Sequence, residues 1–231
     1  DVGENVKSLI KGDKCILSFV ASCGSCNSCR RGLGNLCDTN RLTGTKQYDG
    51  TFRLKDENNN DIHQMAKLGV FADEIVIPEN ACYKIDDDVP IDVACLIGCS
   101  VTTGVGGVIN QKDIFPGATI AVFGTGGVGL NSILGGSLMN SSKIIAVDIL
   151  DSKLEFSYKF GATHTINSKT DDPIERILEL TDGKGVDFGF DAFGSSITTE
   201  QKMGSLTKGG TVVQIALALR WNPWMTMPLC L

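Results

Sequence analysis

Apolar runs and amphipathic stretches alternate along the second half of the chain. A strand buried on both faces is apolar throughout, whereas a surface helix is apolar at every third or fourth position, so the two patterns predict different elements. Strands that alternate with helices are typical of an α/β fold with a doubly wound parallel sheet. The predicted strands are 119–123, 143–147, 163–166, 186–190 and 211–216, and the predicted helices are about 128–139, 151–160, 172–180 and 196–206. These five strands are one fewer than the usual six of such a sheet.

The first hundred residues have a different pattern, with short β-type runs between polar segments. The polar run Lys55–Asp61 predicts a solvated hairpin tip or loop, and the stretch 91–110, rich in small residues, predicts a partly helical segment. We therefore predict a mostly β domain over 1–100 and the doubly wound domain over 101–231, whose tail 217–231 has no assigned structure. The runs that predict a strand, alone or with a turn, are 15–20, 69–78 and 81–90.

The composition is that of a globular protein without a preference for polyanions. The 231 residues are 42% hydrophobic and 21% charged, and 21 basic against 27 acidic residues give a net charge of −6. Because no basic block is present, nucleic acid and anionic membranes are poor partners. No apolar run approaches the roughly 20 residues of a membrane span, so we expect no membrane-spanning segment. The start has neither an initiator Met nor a signal peptide, and we expect a cytoplasmic protein.

A glycine-rich turn of the pattern G-x-G-x-x-G joins the first strand of the predicted sheet to its helix. Gly124 permits the tight turn, Gly126 lets the backbone approach a pyrophosphate, and Gly129 lets the helix lie close to the strand. The helix N-terminus offers free N–H groups to the same anion. Asp148, which ends the next strand, can accept hydrogen bonds from the adenosine ribose and would repel a 2′-phosphate, which favours NAD over NADP. The cofactor-binding residues predicted from this segment are Gly124, Gly126, Gly127, Gly129 and Asp148.

Four of the nine cysteines lie close together in the pattern C-x2-C-x2-C-x7-C. Four thiolates on a compact loop can surround one zinc ion tetrahedrally, and because all four positions are filled the role is structural. An iron–sulfur cluster of the ferredoxin type is an alternative, although it expects a shorter last gap followed by Pro. Disulfides are a further alternative. The predicted zinc ligands, in a lobe at about 23–37, are Cys23, Cys26, Cys29 and Cys37.

A β-rich domain with a four-cysteine lobe, followed by a dinucleotide-binding unit, resembles the zinc-dependent medium-chain alcohol dehydrogenases. The resemblance runs from residue 1 to about 216, is most similar to a bacterial branch of NAD-dependent enzymes, and extends to glutathione-dependent formaldehyde dehydrogenases. It implies a GroES-like catalytic domain and a Rossmann domain. The segments that carry it are the cysteine lobe, Lys11–Asp13, Asn35–Asp38, Asp49–Arg53, Gly69–Glu74, Cys95–Gly104, Gly124–Gly129 and Ile145–Asp148.

The resemblance also implies roles for single residues. Cys99 matches a ligand of a second, catalytic zinc, and Thr103 matches a threonine that packs by the nicotinamide and is our candidate catalytic residue. Val128 lies against the cofactor at the glycine turn, Asp148 binds the ribose, and Lys153 sits beside it.

The chain departs from the family pattern at both ends. The family's first catalytic cysteine and its Gly-His-Glu segment would precede Asp1, and the sixth strand would follow the last predicted one. Ala216 also stands where the family usually has Gly. We therefore expect an internal piece of such an enzyme that is inactive by itself.

The function implied by the resemblance is hydride transfer from a primary alcohol, or a hydroxymethyl adduct of a thiol, to NAD. The partners implied are a small alcohol or aldehyde substrate and, for the parent enzyme, a second copy or three further copies of the chain. A non-catalytic, zinc-stabilised NAD-binding module is the alternative, and an iron–sulfur electron carrier is a third possibility.

Overall fold

The computed structural model describes residues 1–39 and 44–217, without the side chain of Ala66. The predictions for the tail beyond residue 217, and the cysteine at position 230, lie outside the described residues. The chain divides into two compact units, the first running from Asp1 to Gly98 and the second starting at Cys99. Each unit is built around its own sheet or sheets.

The first unit has two small antiparallel sheets, in which β1 pairs with β4 and β2 pairs with β3. Short 3₁₀ turns at Gly34–Leu36, Met65–Lys67 and Glu79–Ala81 connect these elements. The β structure of this unit therefore lies in short pieces. Its strands and helices are β1 (Cys15–Leu17), α1 (Asn27–Arg30), β2 (Leu54–Lys55), β3 (Asp61–Ile62), β4 (Cys82–Lys84) and α2 (Ile91–Ala94).

The hairpin predicted at the polar run is confirmed, because β2 and β3 flank it. Asp56 accepts hydrogen bonds from the backbone N–H groups of Asn58 and Asn60, and Asn59 adopts a φ of 63° that closes the turn. The strand predicted at 69–78 is wrong, since this segment joins no ladder among the described residues. Alternation there matches burial, with Val76 72% exposed between two half-buried isoleucines, but alternation alone provides no partner strand.

The second unit is a five-stranded parallel sheet in the order β7-β6-β5-β8-β9. This confirms the doubly wound α/β prediction. Its strands are β5 (Thr119–Phe123), β6 (Lys143–Asp148), β7 (His164–Asn167), β8 (Val186–Asp191) and β9 (Leu206–Gln214). Its helices are α3 (Thr102–Ile109), α4 (Gly127–Leu138), α5 (Asp151–Ser157), α6 (Pro173–Leu180) and α7 (Ser196–Gly204).

Two element ends of the second unit differ from the predictions by three residues or more. The helix predicted to 160 stops as an α-helix at Ser157 and tightens into a 3₁₀ turn that Gly161 ends with a φ of 105°. The last strand begins at Leu206 instead of 211, and its register against β8 shifts between Val186 and Phe188. Two glycines at positions 209 and 210 in this strand hid its first half from a search for apolar runs.

The core lies on both faces of the parallel sheet. Side chains of β5 alternate between the two clusters, with Ile120 and Val122 on one face and Ala121 and Phe123 on the other, all fully buried. From β5 the chain adds β6 and β7 on one side of the sheet and then β8 and β9 on the other. The strand order therefore reverses between β5 and β8. In such sheets ligands bind at the carboxyl ends of the strands beside this reversal.

The stretch Ile91–Ile109 has a mean hydropathy of 1.6 over 18 residues and is long and apolar enough, by length and composition alone, to cross a membrane. The expectation that no apolar run reaches this length is therefore wrong. Two residues of its second half, Gly104 and Val108, are buried against the rest of the second unit. Val108 is fully buried, and a Cβ on Gly104 would lie 2.4 Å from the carbonyl oxygen of Val128 on α4.

Candidate functional site

The glycine-rich turn has the tight geometry that its sequence predicts. Gly124 has a φ of 89°, a conformation that favours glycine, and a Cβ there would lie 2.9 Å from Cβ of Phe193. A Cβ on Gly129 would lie 1.8 Å from the carbonyl oxygen of Gly124. The turn can therefore close onto the first turn of α4 only when both positions are glycine.

Gly126, by contrast, faces open space. It is the N-cap of α4, has an ordinary φ of −74°, and a Cβ there would meet no atom within 4 Å. A bare backbone and unpaired helical N–H groups at the start of a 12-residue helix can receive an anion. The neighbouring Gly127 faces the helix packed beside it, because a Cβ there would lie 2.8 Å from Oγ of Ser100.

The carboxylate of Asp148 is fixed at the end of β6. Its Oδ2 accepts the backbone N–H and the hydroxyl of Thr125 at 2.8 and 2.9 Å, and its Oδ1 accepts the N–H groups of Ile149 and Leu150. Burial raises the pKa of this carboxyl, but the hydrogen bonds from Thr125 and Ile149 and the charge of Lys153 outweigh burial and hold the pKa below its usual value. An ionised acceptor is therefore held rigidly at this edge of the sheet.

A cleft of about 390 Å³ lies at the carboxyl ends of β5, β6 and β8. Gly124, Gly126, Asp148 and Lys153 line it together, whereas Gly127, Val128 and Gly129 do not line it and belong to the adjoining first turn of α4. The walls are largely apolar. They include Phe123, Val147, Ile149, Leu150, Ala192, Phe193 and Ile197. A mostly apolar cleft with a few convergent polar groups is typical of a cofactor site.

The opposite wall of this cleft was missed by the sequence reasoning. It is formed by the turn 192–195 after β8 and by the start of α7, where Ser195 caps the helix and Thr198 completes a capping box. The available signal was the Gly194-Ser195 pair, a few residues after the predicted strand 186–190. In a parallel sheet such a turn lies at the same edge as the glycine-rich turn.

The residues suggested for the catalytic end lie in one helical stretch. Cys99 is exposed in a π-helical turn at Ile97–Val101, and Thr103 is half-buried in the first turn of α3. The sequence predicted helix here but not the π turn, a feature that is frequent at functional sites. Gly104, directly after Thr103, packs on the first turn of α4.

The four cysteines of the lobe gather into one cluster. Their Sγ atoms all lie within 4.8 Å of one another. Four sulfurs that bind zinc tetrahedrally at about 2.3 Å are about 3.8 Å apart, so the cluster needs only a small contraction to hold the metal. Within the described residues this is the group of three or more metal-binding side chains that the structure assembles.

Hydrogen bonds prepare two of these thiols for a metal. The pKa of Cys23 is lowered to about 5, most strongly by the hydroxyl of Ser25 and less strongly by the backbone N–H groups of Ser25 and Cys26. The backbone N–H of Cys23 likewise lowers the pKa of Cys37, whereas burial raises that of Cys29 to about 12. Because zinc binds the thiolate, this donor set fits a structural zinc ion, as the sequence predicts.

Comparison with known proteins identifies both parts of the chain. The model of the alcohol dehydrogenase GroES-like domain matches residues 1–87, and that of a zinc-binding dehydrogenase matches residues 127–229. The S-(hydroxymethyl)glutathione dehydrogenase of Saccharomyces cerevisiae is 37% identical over 98% of this chain and 61% of its own length. Alcohol dehydrogenase 6 of Rattus norvegicus is 38% identical over 90% of this chain and 55% of its own.

Solved structures agree with these matches. The benzyl alcohol dehydrogenase of Acinetobacter calcoaceticus superposes with a TM-score of 0.82 at 32% identity, over 96% of this chain and 60% of its own. An alcohol dehydrogenase zinc-binding domain protein from Burkholderia ambifaria gives a TM-score of 0.84 at 33% identity and the same coverage. The chain therefore spans about 60% of the length of these relatives.

Proposed function

Because the chain belongs to the zinc-dependent medium-chain alcohol dehydrogenases, we propose that its complete protein oxidises a small alcohol to an aldehyde with NAD as the hydride acceptor. The observation that carries the proposal is the cleft at the carboxyl edge of the sheet. There the open Gly126 and the ionised Asp148 lie on the lining of one apolar cavity.

The residues of this cleft bind and orient a dinucleotide. The first N–H groups of α4 receive its pyrophosphate, because no side chain at Gly126 blocks the approach. Asp148 still has acceptor capacity for the ribose hydroxyls, since a carboxylate offers about four lone-pair sites in two oxygens. Its charge disfavours a 2′-phosphate, and Lys153 lies beside it in the lining. We assign further contacts with the cofactor to Gly127 and Val128 in the adjoining first turn of α4, and the close packing that shapes the turn to Gly124 and Gly129.

In the complete enzyme, a bound zinc ion would act as a Lewis acid and bound NAD would act as the oxidant. From the family resemblance, we propose that Cys99 is one ligand of this catalytic zinc and that Thr103 packs beside the nicotinamide. One thiolate cannot hold a catalytic zinc, and no second metal-binding cluster includes Cys99 within the described ranges 1–39 and 44–217. We therefore expect the 231-residue chain to bind NAD without oxidising alcohol.

The substrate class we propose is a primary alcohol or a hydroxymethyl adduct of a thiol. It is supported by the names of the relatives, which include a benzyl alcohol dehydrogenase and an S-(hydroxymethyl)glutathione dehydrogenase. We also propose a cytoplasmic location and a homodimeric or homotetrameric parent. Both proposals are supported by the family to which the chain belongs.

The test is calorimetric titration of the purified chain with NAD and NADP, followed by an assay for alcohol-dependent NADH. We expect binding of NAD, at least tenfold weaker binding of NADP, and no turnover; a tenfold ratio corresponds to about 1.4 kcal/mol. Failure to bind either dinucleotide would overturn the proposal for the cleft. Rapid NADH formation would overturn the expected inactivity.

A zinc-stabilised module that binds NAD without catalysis is the second candidate. It is favoured because no group of three or more metal-binding side chains includes Cys99 in the described part of the chain. The two candidates differ in the coding DNA. In-frame codons for a cysteine and a Gly-His-Glu segment upstream of Asp1 support the enzyme, whereas a start codon close to Asp1 supports the module.

A further inference from the structure

Two oppositely charged side chains, Asp191 and Lys202, are fully buried behind the cleft and have no role in the function proposed above. Both side chains have 0% exposure, and Nζ of Lys202 lies 3.7 Å from Oδ2 of Asp191. Lys202 also donates a hydrogen bond to the side chain of Gln214 on β9. Burying a charged pair costs desolvation free energy that apolar residues of the same size avoid. A gain in stability therefore does not account for the presence of this pair.

Asp191 organises the turn that follows it. Its Oδ1 accepts the backbone N–H groups of Phe193 and Gly194 at 3.0 and 2.8 Å. Its Oδ2 accepts the hydroxyls of Thr198 and Thr199 at 3.1 and 3.4 Å. One carboxylate therefore ties the turn 192–195 to the first turn of α7.

That turn is the wall of the cleft opposite Asp148, and it touches the glycine-rich turn directly. The N–H of Ala192 donates to the carbonyl oxygen of Phe123 at 2.9 Å. Cβ of Phe193 fills the space beside Gly124, where an added Cβ would approach it to 2.9 Å. A shift of the turn would therefore change both walls of the cleft.

Lys202 reaches Asp191 from the far end of α7, and the sheet makes room for it. Gly189 on β8 lies against the lysine stem, because a Cβ there would come within 2.7 Å of Cγ of Lys202. The ammonium group is the counter-charge that the structure provides for Asp191 inside this core. Without it, ionised Asp191 would be a buried carboxylate held by neutral donors alone.

We infer that Lys202 and Asp191 are positioning residues that hold the turn 192–195 against the glycine-rich turn and so set the affinity of the cleft for the adenosine half of NAD. The inference rests on the proposed function of the cleft. Contacts within the second unit connect the pair to the cleft: Lys202 lies beside Asp191, and Asp191 accepts the N–H groups of the turn that lines the cleft.

The test compares four variants of the 231-residue chain. Lys202→Met keeps the stem and removes the charge, Asp191→Asn/Lys202→Met removes both charges and keeps an acceptor for the N–H groups, and Asp191→Ala removes every acceptor. Ile177→Val is the control, because Ile177 is fully buried on α6 and does not line the cleft. Titration with NAD and AMP and amide hydrogen exchange at Phe193 and Gly194 are measured for each.

We expect Lys202→Met and Asp191→Ala to weaken NAD and AMP binding about tenfold and to speed exchange at the two amides by a similar factor. The double variant restores both readouts to within about threefold of the wild type, because a neutral buried pair carries no desolvated charge. Ile177→Val lowers stability without moving either readout.

Unchanged affinity and exchange in Lys202→Met would overturn the inference while NAD binding by the wild type still supports the function of the cleft. If the wild type bound neither NAD nor AMP, the proposed function would fail and the inferred effect on affinity with it. Loss of affinity in Ile177→Val equal to that in Lys202→Met would mean that general loosening, and not the charge pair, controls the cleft.

Discussion

At the scale of single residues, the glycines of the turn differ in what surrounds them. Gly126 is open, whereas Gly129 is closed by the carbonyl oxygen of Gly124. One G-x-G-x-x-G pattern therefore contains a position reserved for a ligand and a position reserved for packing. The sequence pattern predicts these two roles, and a methyl group added at each position would therefore have different effects.

We predict that Gly126→Ala leaves the free energy of unfolding within about 1 kcal/mol of the wild type and weakens NAD binding at least tenfold, because the new methyl group would occupy the path of the pyrophosphate. Gly129→Ala should destabilise the second unit by about 1–3 kcal/mol, as overpacked sites do. Urea denaturation and NAD titration of both variants provide the check. Equal destabilisation by the two substitutions would contradict it.

Asp148 leads to a prediction about acid stability. Its pKa is lower in the folded chain than in the unfolded one, so the stability it contributes is full above the unfolded pKa of about 3.9 and is lost as pH falls through the folded pKa. Asp148→Asn should therefore be less stable than the wild type at pH 7, with a difference that shrinks below about pH 4. Urea denaturation at a series of pH values measures it.

The matched control is Asp182→Asn. Asp182 is exposed in the turn after α6, where its φ of 53° suits Asn as well as Asp. This variant should follow the wild type at every pH. A constant difference between Asp148→Asn and the wild type down to pH 3 would show that the carboxylate charge has no part in stability.

At the scale of elements, we expect zinc in the cysteine lobe to stabilise the first unit, which buries few apolar side chains. Small domains with little buried apolar surface need a metal or disulfides to fold. The lobe itself consists of one turn of α1, one 3₁₀ turn and connecting loops. The buried hydrophobic residues described in this unit are Ala21, Cys37, Leu68, Ala81 and Ala94.

We predict that Cys37→Ser abolishes zinc binding, because Cys37 is the most deeply buried of the four ligands, with 2% exposure. The wild type should carry one zinc ion per chain by elemental analysis after gel filtration, and Cys95→Ser, at an exposed position outside the lobe, should also carry one. Two zinc ions in the wild type would mean that Cys99 has partners, and the expected inactivity would be withdrawn.

At the scale of the whole molecule, the two units have different sources of stability. The second unit buries both faces of a parallel sheet in two apolar clusters, whereas we expect the stability of the first to depend on zinc in the cysteine lobe. Each unit also has its own candidate ligand. The response to each ligand should therefore be confined to one unit.

We predict two thermal transitions in scanning calorimetry. A strong chelator should lower the transition of the first unit, and NAD at 100 times its Kd should stabilise the second by about 2.7 kcal/mol. Assignment comes from repeating the scans with Cys37→Ser and Gly126→Ala. A single transition that moves with both ligands would contradict this division.

The sequence by itself determined the doubly wound sheet, the glycine-rich turn, the place of Asp148 at the end of a strand and the four-cysteine cluster, because local periodicity and fixed spacing encode each of them. Pairing was not encoded locally. The run 69–78 alternates without joining a ladder, and β9 extends through glycines that interrupt its apolar pattern.

Only the tertiary structure decided which residues form the second wall of the cleft. Asp191 follows one predicted strand and Lys202 lies in the next predicted helix, and they meet because β8, α7 and β9 pack against one another. The physical reason is that periodicity reports which face of an element is apolar, whereas a contact between two polar groups depends on how separate elements pack.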